Sequence, residues 1–132
     1  MTEDTIRFLG LIRRAGKLEI GDMAVAAAVK GHKAKLVLLT NDAGGGITKK
    51  IHQITTECHV PCMSIPLGKD EFSNAIGRDN VAVAAVNDLG FSTSLAEKIA
   101  SEHPEEPDYR SLAEALGEQK KKRTNRADNR RK

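Results

Sequence analysis

The sequence predicts an α/β fold, organised as a single domain in a three-layer α/β/α sandwich. Residues 35–40 and 81–86 are short apolar runs, as expected for strands buried on both faces of a sheet. Apolar residues with helical spacing occupy the segments between strands, so helices and strands alternate through most of residues 5–100. The 132 residues are enough for one domain with a core but not for two.

The longer helices show an apolar period, and several elements are bounded by glycine, proline or asparagine, such as Gly16, Gly31, Pro61, Gly77 and Asn80. Residues 47–57, for example, space Ile47, Ile51 and Ile54 by four and three, which is the spacing of one helix face. The predicted helices are residues 5–15, 23–30, 47–57, 69–76 and 91–100, and the predicted strands are residues 18–20, 35–40, 62–65 and 81–86. A loop at 41–46 connects the first buried strand to the third helix.

Charge divides the chain into three parts. Residues 1–101 carry a net charge of +1, residues 102–116 carry −4 and residues 117–132 carry +6. The acidic part predicts a linker with a weak helix at 109–116. The basic part has Ala127 as its one apolar residue and cannot bury a core, so we predict a disordered tail. Such a basic block typically meets polyanions, the alternative being a solubilising tail with no fixed partner.

Composition also excludes several protein classes. No apolar run approaches the ~20 residues of a membrane helix, and the N-terminus lacks the apolar segment of a signal peptide. We therefore expect a cytoplasmic protein with no membrane association. The four aromatic residues are too few for a protein that reads single-stranded nucleic acid by stacking bases on exposed rings.

The segment Cys58-His59-x-x-Cys62 has the spacing of half a zinc site. A structural zinc ion needs four ligands, and the remaining histidines form no second ligand pair. We therefore predict two unligated thiols, no metal and no cofactor.

The glycines at 44–46 follow a strand and precede a helix, with Lys49 and Lys50 one turn further on. They match neither glycine-rich nucleotide-binding pattern. Two interpretations remain, a loop at a helix N-terminus that contacts an RNA backbone and a mobile loop with no ligand. No paired carboxylates and no Ser-His-Asp arrangement can be argued from spacing, so we predict that the chain is not an enzyme.

Several local runs occur in a fixed order along residues 5–100. They are LGLIRRAGKLEIGD at 9–22, HKAKLVLLTNDA at 32–43, TKKI at 48–51, VP at 60–61, AIG at 75–77 and VNDLGF at 86–91. Together they resemble the bacterial YlxQ-type proteins, which belong to the superfamily of kink-turn-binding ribosomal proteins (L-seven-Ae and L-thirty-e). The resemblance implies a monomeric, non-enzymatic α/β/α sandwich that binds ribosomal or other structured RNA at one end. It also implies the ribosome or a translation factor as a partner.

The same resemblance implies an RNA-binding surface around the start of the second helix. The implied residues are Gly16, Lys17, Gly21, Asp22, Asn41, Asp42, Gly44, Gly45, Gly46, Lys49, Lys50, Arg78, Asp79 and Asn80. Arg13 and Arg14, at the end of the first helix, are added to this surface for their charge. Gly21 allows the backbone to approach a phosphate, because it has no Cβ. The N–H groups of the following helix offer donors to an anion, and Arg13, Arg14 and Lys17 are expected to add positive charge beside them.

The sequence departs from the superfamily at the residues that read bases. Other members place Asn-Glu and, three residues on, Lys at the start of this helix to read sheared G·A pairs. The same positions here are Met23, Ala24 and Ala27. Phosphate contacts position a protein whereas base contacts specify a sequence, so RNA affinity is expected without these side-chain readers. One alternative is a protein-interaction or scaffold module that has lost specific RNA reading, and another is an enzyme that binds a nucleotide at residues 44–46.

Overall fold

A computed structural model describes the backbone of residues 1–130 and the side chains of residues 1–123. The elements are, in chain order, α1 (Glu3–Arg14), β1 (Leu18–Ile20), α2 (Asp22–Lys30), β2 (Leu36–Leu39), α3 (Gly45–Glu57), β3 (Cys62–Ser64), α4 (Lys69–Ile76), β4 (Val83–Val86), α5 (Leu89–Glu102) and α6 (Pro107–Arg130). Within the described residues, no helix combines the length and apolarity needed to cross a bilayer.

The four strands form one sheet in the order β1-β4-β2-β3, with β4 antiparallel to both of its neighbours and β3 parallel to β2. Successive residues of β2 face opposite sides, as the two-residue period of a strand requires. Leu36 and Leu38 pack with α1, α4, α5 and α6, whereas Val37 and Leu39 pack with α2 and α3. This arrangement confirms the predicted three-layer α/β/α sandwich.

The C-terminal part of the chain differs from the prediction. Instead of a linker with a weak helix at 102–116 and a disordered tail at 117–132, the structure has the continuous helix α6 from residue 107 to residue 130. Ala113 and Leu116 are buried in the core, and the hydroxyl of Tyr109 donates to the carbonyl oxygen of Ser64 at 2.7 Å. Sparse apolar residues make a stable helix here because they pack on other elements. The last two predicted tail residues, 131 and 132, lie outside the described residues.

Strand direction decides which loops meet. β1 and β2 are both antiparallel to β4, and β3 is parallel to β2, so β1, β2 and β3 all end at the same edge of the sheet. The helices α2, α3 and α4 follow these three strands and therefore begin at that edge. We call it the helix-start edge. At the opposite edge, β1, β2 and β3 begin and β4 ends.

Candidate RNA-binding surface

A groove of about 350 Å³ lies at the helix-start edge. It is lined by the turn and first residue of α2, by Ile47 in the first turn of α3, by the first residue of α4 and by the segment that leads into β4. We call it the helix-2 groove and define it by Gly21, Asp22, Ile47, Lys69, Arg78, Asp79 and Asn80. The structure thus brings together the turn before α2 and residues 78–80, both of which the family resemblance assigns to the RNA-binding surface.

Gly21 shapes the α2 side of the helix-2 groove. Its backbone has φ +96° and ψ 158°, a combination that is essentially restricted to glycine. No side chain caps α2, and no atom lies within 4 Å of the place that a Cβ on Gly21 would occupy. The first N–H groups of a helix have no partner inside it, so those of α2 are available to an anion.

The start of α3 is similarly open. The helix begins at Gly45, not at residue 47, so the predicted loop at 41–46 ends at Gly44, and Gly45 and Gly46 belong to the first helical turn. No side chain caps this helix, and open space surrounds all three glycines. Lys49 and Lys50 are exposed one turn later, and the Lys50 Nζ lies 3.9 Å from the Asp22 Oδ2 of α2.

The loop before α3 is attached to the start of α4. The Oδ1 of Asp42 accepts a hydrogen bond from the backbone N–H of Lys69 at 2.9 Å, and the N–H of Asn41 donates to the carbonyl of Leu67 at 2.9 Å. Asp42 therefore provides the cap that α4 lacks locally, because the residue before that helix is Gly68. These bonds give Asn41 and Asp42 a structural role at the edge of the helix-2 groove.

Residues 78–80 form the far wall of the helix-2 groove. Gly77 ends α4 in the left-handed conformation, with φ +70°, and turns the chain back toward β4. The N–H of Val81 then donates to Ser73 Oγ at 3.0 Å, which fixes the return of the chain. Arg78, Asp79 and Asn80 between these two anchors are exposed.

Arg13, Arg14 and Lys17 were predicted to add positive charge beside Gly21, but none of them lines the helix-2 groove. Gly16 and Lys17 lie at the opposite edge of the sheet, because β1 separates them from Gly21. The guanidinium of Arg13 donates to the carbonyl of Ile76 at the end of α4, and Arg14 is exposed on the last turn of α1. The predicted placement of positive charge beside Gly21 is therefore wrong for Lys17, and the guanidinium of Arg13 is hydrogen-bonded to the end of α4.

Lys69 and Ile47 are groove residues that the sequence interpretation did not include, and Lys69 is the charged one. Lys69 is the first residue of α4, and it lines the helix-2 groove together with Gly21. Placing Lys69 in the groove requires the direction of the strands, because strands that run the same way bring the helices that follow them to one edge of the sheet. The strand–helix order of β3 and α4 was visible in the sequence, so this signal was available.

The chain is similar in sequence to two bacterial proteins. The chain is 31% identical to the RNA-binding protein YlxQ of Enterococcus faecium over 97 residues, covering 74% of this chain and 92% of the relative. It is 36% identical to the RNA-binding protein YlxQ of Bacillus subtilis over 91 residues, covering 66% of this chain and 86% of the relative. The chain belongs to the YlxQ family. This membership confirms both the predicted resemblance and the prediction that the chain is not an enzyme.

Solved structures share the fold of this YlxQ-family chain. A protein of unknown function from Bacillus halodurans is 32% identical, with a TM-score of 0.69, and the match covers 74% of this chain and 98% of that one. The Giardia lamblia 15.5kD RNA binding protein is 16% identical, with a TM-score of 0.61, and the match covers 76% of this chain and 92% of that one. No protein-family model matches the chain.

Charge in the helix-2 groove of this YlxQ-family protein is balanced. Its two cations, Lys69 and Arg78, are matched by the carboxylates of Asp22 and Asp79. Positive potential at this edge therefore comes mainly from the helix starts, whose aligned peptide dipoles favour anions. The groove is suited to orienting a phosphate, and it offers little net charge to neutralise several of them.

The two cysteines of this YlxQ-family chain lie at the junction between α3 and β3, and both are free thiols. In the part of the chain that the structure describes, no group of three or more metal-ligating side chains is positioned to hold an ion. Burial raises the pKa of the Cys62 thiol to about 11, and a hydrogen bond with Thr55 offsets this only in part. Cys62 thus behaves as a packed, protonated side chain.

We expect iodoacetamide to alkylate Cys62 slowly in the folded protein. A pKa of about 11 leaves about one thiol in a thousand as the reactive thiolate at pH 8. A Cys58→Ser variant isolates Cys62, and mass spectrometry follows its labelling before and after denaturation in guanidinium chloride. Equal labelling rates in the two states would show that Cys62 is not shielded.

Proposed function

We propose that this protein binds structured RNA through the helix-2 groove, with ribosomal RNA as the first target to test. The observation that carries the proposal is a groove that joins the uncapped, glycine-led start of α2, Ile47 in the first turn of the similarly uncapped α3, Lys69 and Arg78. Two relatives in the same family are named as RNA-binding proteins.

The chemistry of this surface suits a phosphate backbone. Backbone N–H groups at the starts of α2 and α3 donate to phosphate oxygens, and the helix dipoles favour the negative charge. Gly21 and Gly44 have no Cβ, so a sugar-phosphate chain approaches these donors closely. Lys69 and Arg78 then hold neighbouring phosphates from the other wall of the groove.

Base reading is limited by the first turn of α2. Met23 is 80% exposed, and neither it nor Ala24 and Ala27 carries a side chain that forms strong hydrogen bonds with base edges. Recognition therefore depends on the shape and backbone of the RNA rather than on its sequence. We accordingly propose a preference for folded RNA over an unstructured strand, without strict selection of G·A pairs.

The test compares the full chain with a variant in which Lys69 and Arg78 are both replaced by glutamine. Fluorescence anisotropy measures binding to labelled ribosomal RNA fragments, a kink-turn hairpin and an unstructured strand of equal length, at several salt concentrations. We expect the variant to bind the folded RNAs on the order of tenfold more weakly. Its slope of log K against log salt should be shallower by about 1 to 2.

The matched control replaces Arg7 and Lys98 with glutamine, one arginine and one lysine that are exposed on α1 and α5. This control should retain the affinity of the native chain, because it removes the same charge away from the groove. Equal affinity in both variants would place RNA binding elsewhere on the protein. A native chain that binds none of the RNAs would overturn the proposed function.

A second candidate function is suggested by the exposed Met23. A large apolar side chain that is 80% exposed at the tip of a helix is also suited to contact with a protein. A protein complex that survives ribonuclease treatment and is lost in a Met23→Gln variant would favour this function. RNA binding that is unchanged in the same variant would keep the two functions separate.

A further inference from the structure

A groove larger than the helix-2 groove lies at the other edge of the sheet. It has a volume of about 890 Å³ and lies where β1 and β2 begin, β4 ends and α6 crosses. We call it the basic groove and define it by Lys17, Lys33, Lys35, Lys122 and Arg123. These five cations come from three separate parts of the sequence.

The sheet fixes two of these cations, Lys17 and Lys35. The N–H of Lys35 donates to the carbonyl of Val86 at 2.8 Å, and the N–H of Asn87 donates to the carbonyl of Lys17 at 2.9 Å. Lys17 and Lys35 therefore flank the end of β4 from its two neighbouring strands, roughly 10 Å apart across the sheet. Lys33 is exposed just before β2. No local pattern in the sequence connects this segment with Lys17.

Helix α6 supplies the other two cations. Its buried residue Leu116 packs in the core, and Gln119 and Arg123 follow it by three and seven residues on the same helical face. The apolar stripe that attaches α6 to the domain is thus continued by a polar stripe that lines the basic groove. The docked length of α6 carries Lys122 and Arg123 to the edge where Lys17 and Lys35 lie.

The positive charge of the basic groove is largely uncompensated. The lining includes two carboxylates, Glu19 and Asp88, against the five cations. Glu19 Oε1 accepts from the side-chain amide of Asn87 at 3.2 Å, and Asp88 Oδ2 accepts from the N–H of Phe91 at 2.7 Å to cap α5. Among the described residues, none of the five cations forms a salt bridge.

We propose that the basic groove binds the sugar-phosphate backbone of a second RNA segment, so that the domain holds RNA at both edges of its sheet. A concave surface lined by one sign of charge concentrates its field and suits a polyanion. The two grooves contribute to RNA binding in different ways. The helix-2 groove is charge-balanced and orients the RNA, whereas the basic groove neutralises phosphates. Lys17 and Gly21 at the two ends of β1 are separated by only about 13 Å of extended chain. This inference rests on the proposed RNA-binding function and adds a second surface to it.

The test measures the salt dependence of RNA binding in a Lys33→Gln/Lys122→Gln variant of the full chain. The probes are the labelled ribosomal RNA fragments. Losing two phosphate contacts should make the slope of log K against log salt shallower by about 1.5 to 2. Affinity at about 50 mM salt should fall on the order of tenfold.

The matched control is a Lys30→Gln/Lys121→Gln variant, whose two exposed lysines are close to the substituted ones in sequence but do not line the basic groove. It removes the same charge and should retain a slope near that of the native chain. Combining Lys33→Gln/Lys122→Gln with Lys69→Gln/Arg78→Gln should add the two losses, because the grooves act independently.

Three results would overturn the inference. The first is a Lys33→Gln/Lys122→Gln variant that matches its control in affinity and slope. The second is a labelled polyglutamate peptide that binds the native chain and not this variant, while RNA binding is unchanged, which would assign the groove to acidic proteins. The third is a native chain without RNA affinity, which removes the proposed function as well. If only the Lys69→Gln/Arg78→Gln variant lost RNA affinity, the second surface would be refuted and the proposed function would stand.

Discussion

A Leu116→Ala variant should lose about 3 kcal/mol of unfolding free energy. Leu116 is fully buried, and it packs with Ala113 in the cluster that also contains residues of α1, α4 and α5. Truncation to alanine removes buried methyl groups and leaves a cavity at the contact between α6 and the domain. Urea denaturation followed by circular dichroism measures the change in unfolding free energy.

The control for this prediction is Glu114→Ala, an exposed position two residues earlier on the same helix. It should change stability by no more than about 0.5 kcal/mol. Similar stabilities for the two variants would mean that α6 is not part of the domain core. Because α6 carries Lys122 and Arg123, Leu116→Ala should also weaken RNA binding at the basic groove.

Helix α6 shows where sequence reasoning reaches its limit. The buried strands were predictable, because residues 36–39 and 83–86 form apolar runs that local pattern alone identifies. The bounds of α4 were predictable as well, since Gly68 and Gly77 enclose it. The segment after residue 106 has few apolar residues, and what makes it helical is the partner surface on α5. A local pattern contains no information about that partner.

The candidate site was also predictable only in part from the sequence. Gly21, Asp22 and residues 78–80 could be placed on one surface through the family resemblance, and the helix-2 groove unites them. The predicted position of Lys17 beside Gly21 was avoidable, because the strand predicted at residues 18–20 already separates the two residues. The sequence could not show that Lys33 and Lys122 lie in one groove, since that depends on strand order and on the docking of α6.

A Gly21→Ala variant should lose roughly 1 to 3 kcal/mol of unfolding free energy, with a loss of RNA affinity. No atom obstructs an added Cβ, so the whole effect comes from the backbone, which has φ +96° and ψ 158°. An alanine either adopts this unfavourable conformation or rotates out of it. Rotation displaces the first N–H groups of α2 from the helix-2 groove. Urea denaturation measures the stability loss, and anisotropy with the ribosomal RNA fragments measures the affinity.

Gly44→Ala is a closely matched control, because Gly44 also precedes a helix and also has open space around its Cα. Its φ of −60° and ψ of 150° are ordinary for any residue. Alanine at position 44 should therefore leave stability unchanged or raise it by about 0.4 to 1 kcal/mol, since it restricts the unfolded chain. A Gly21→Ala variant as stable as Gly44→Ala would contradict the strained turn before α2. If Gly21→Ala lost stability but kept full RNA affinity, the N–H groups of α2 would not be RNA ligands.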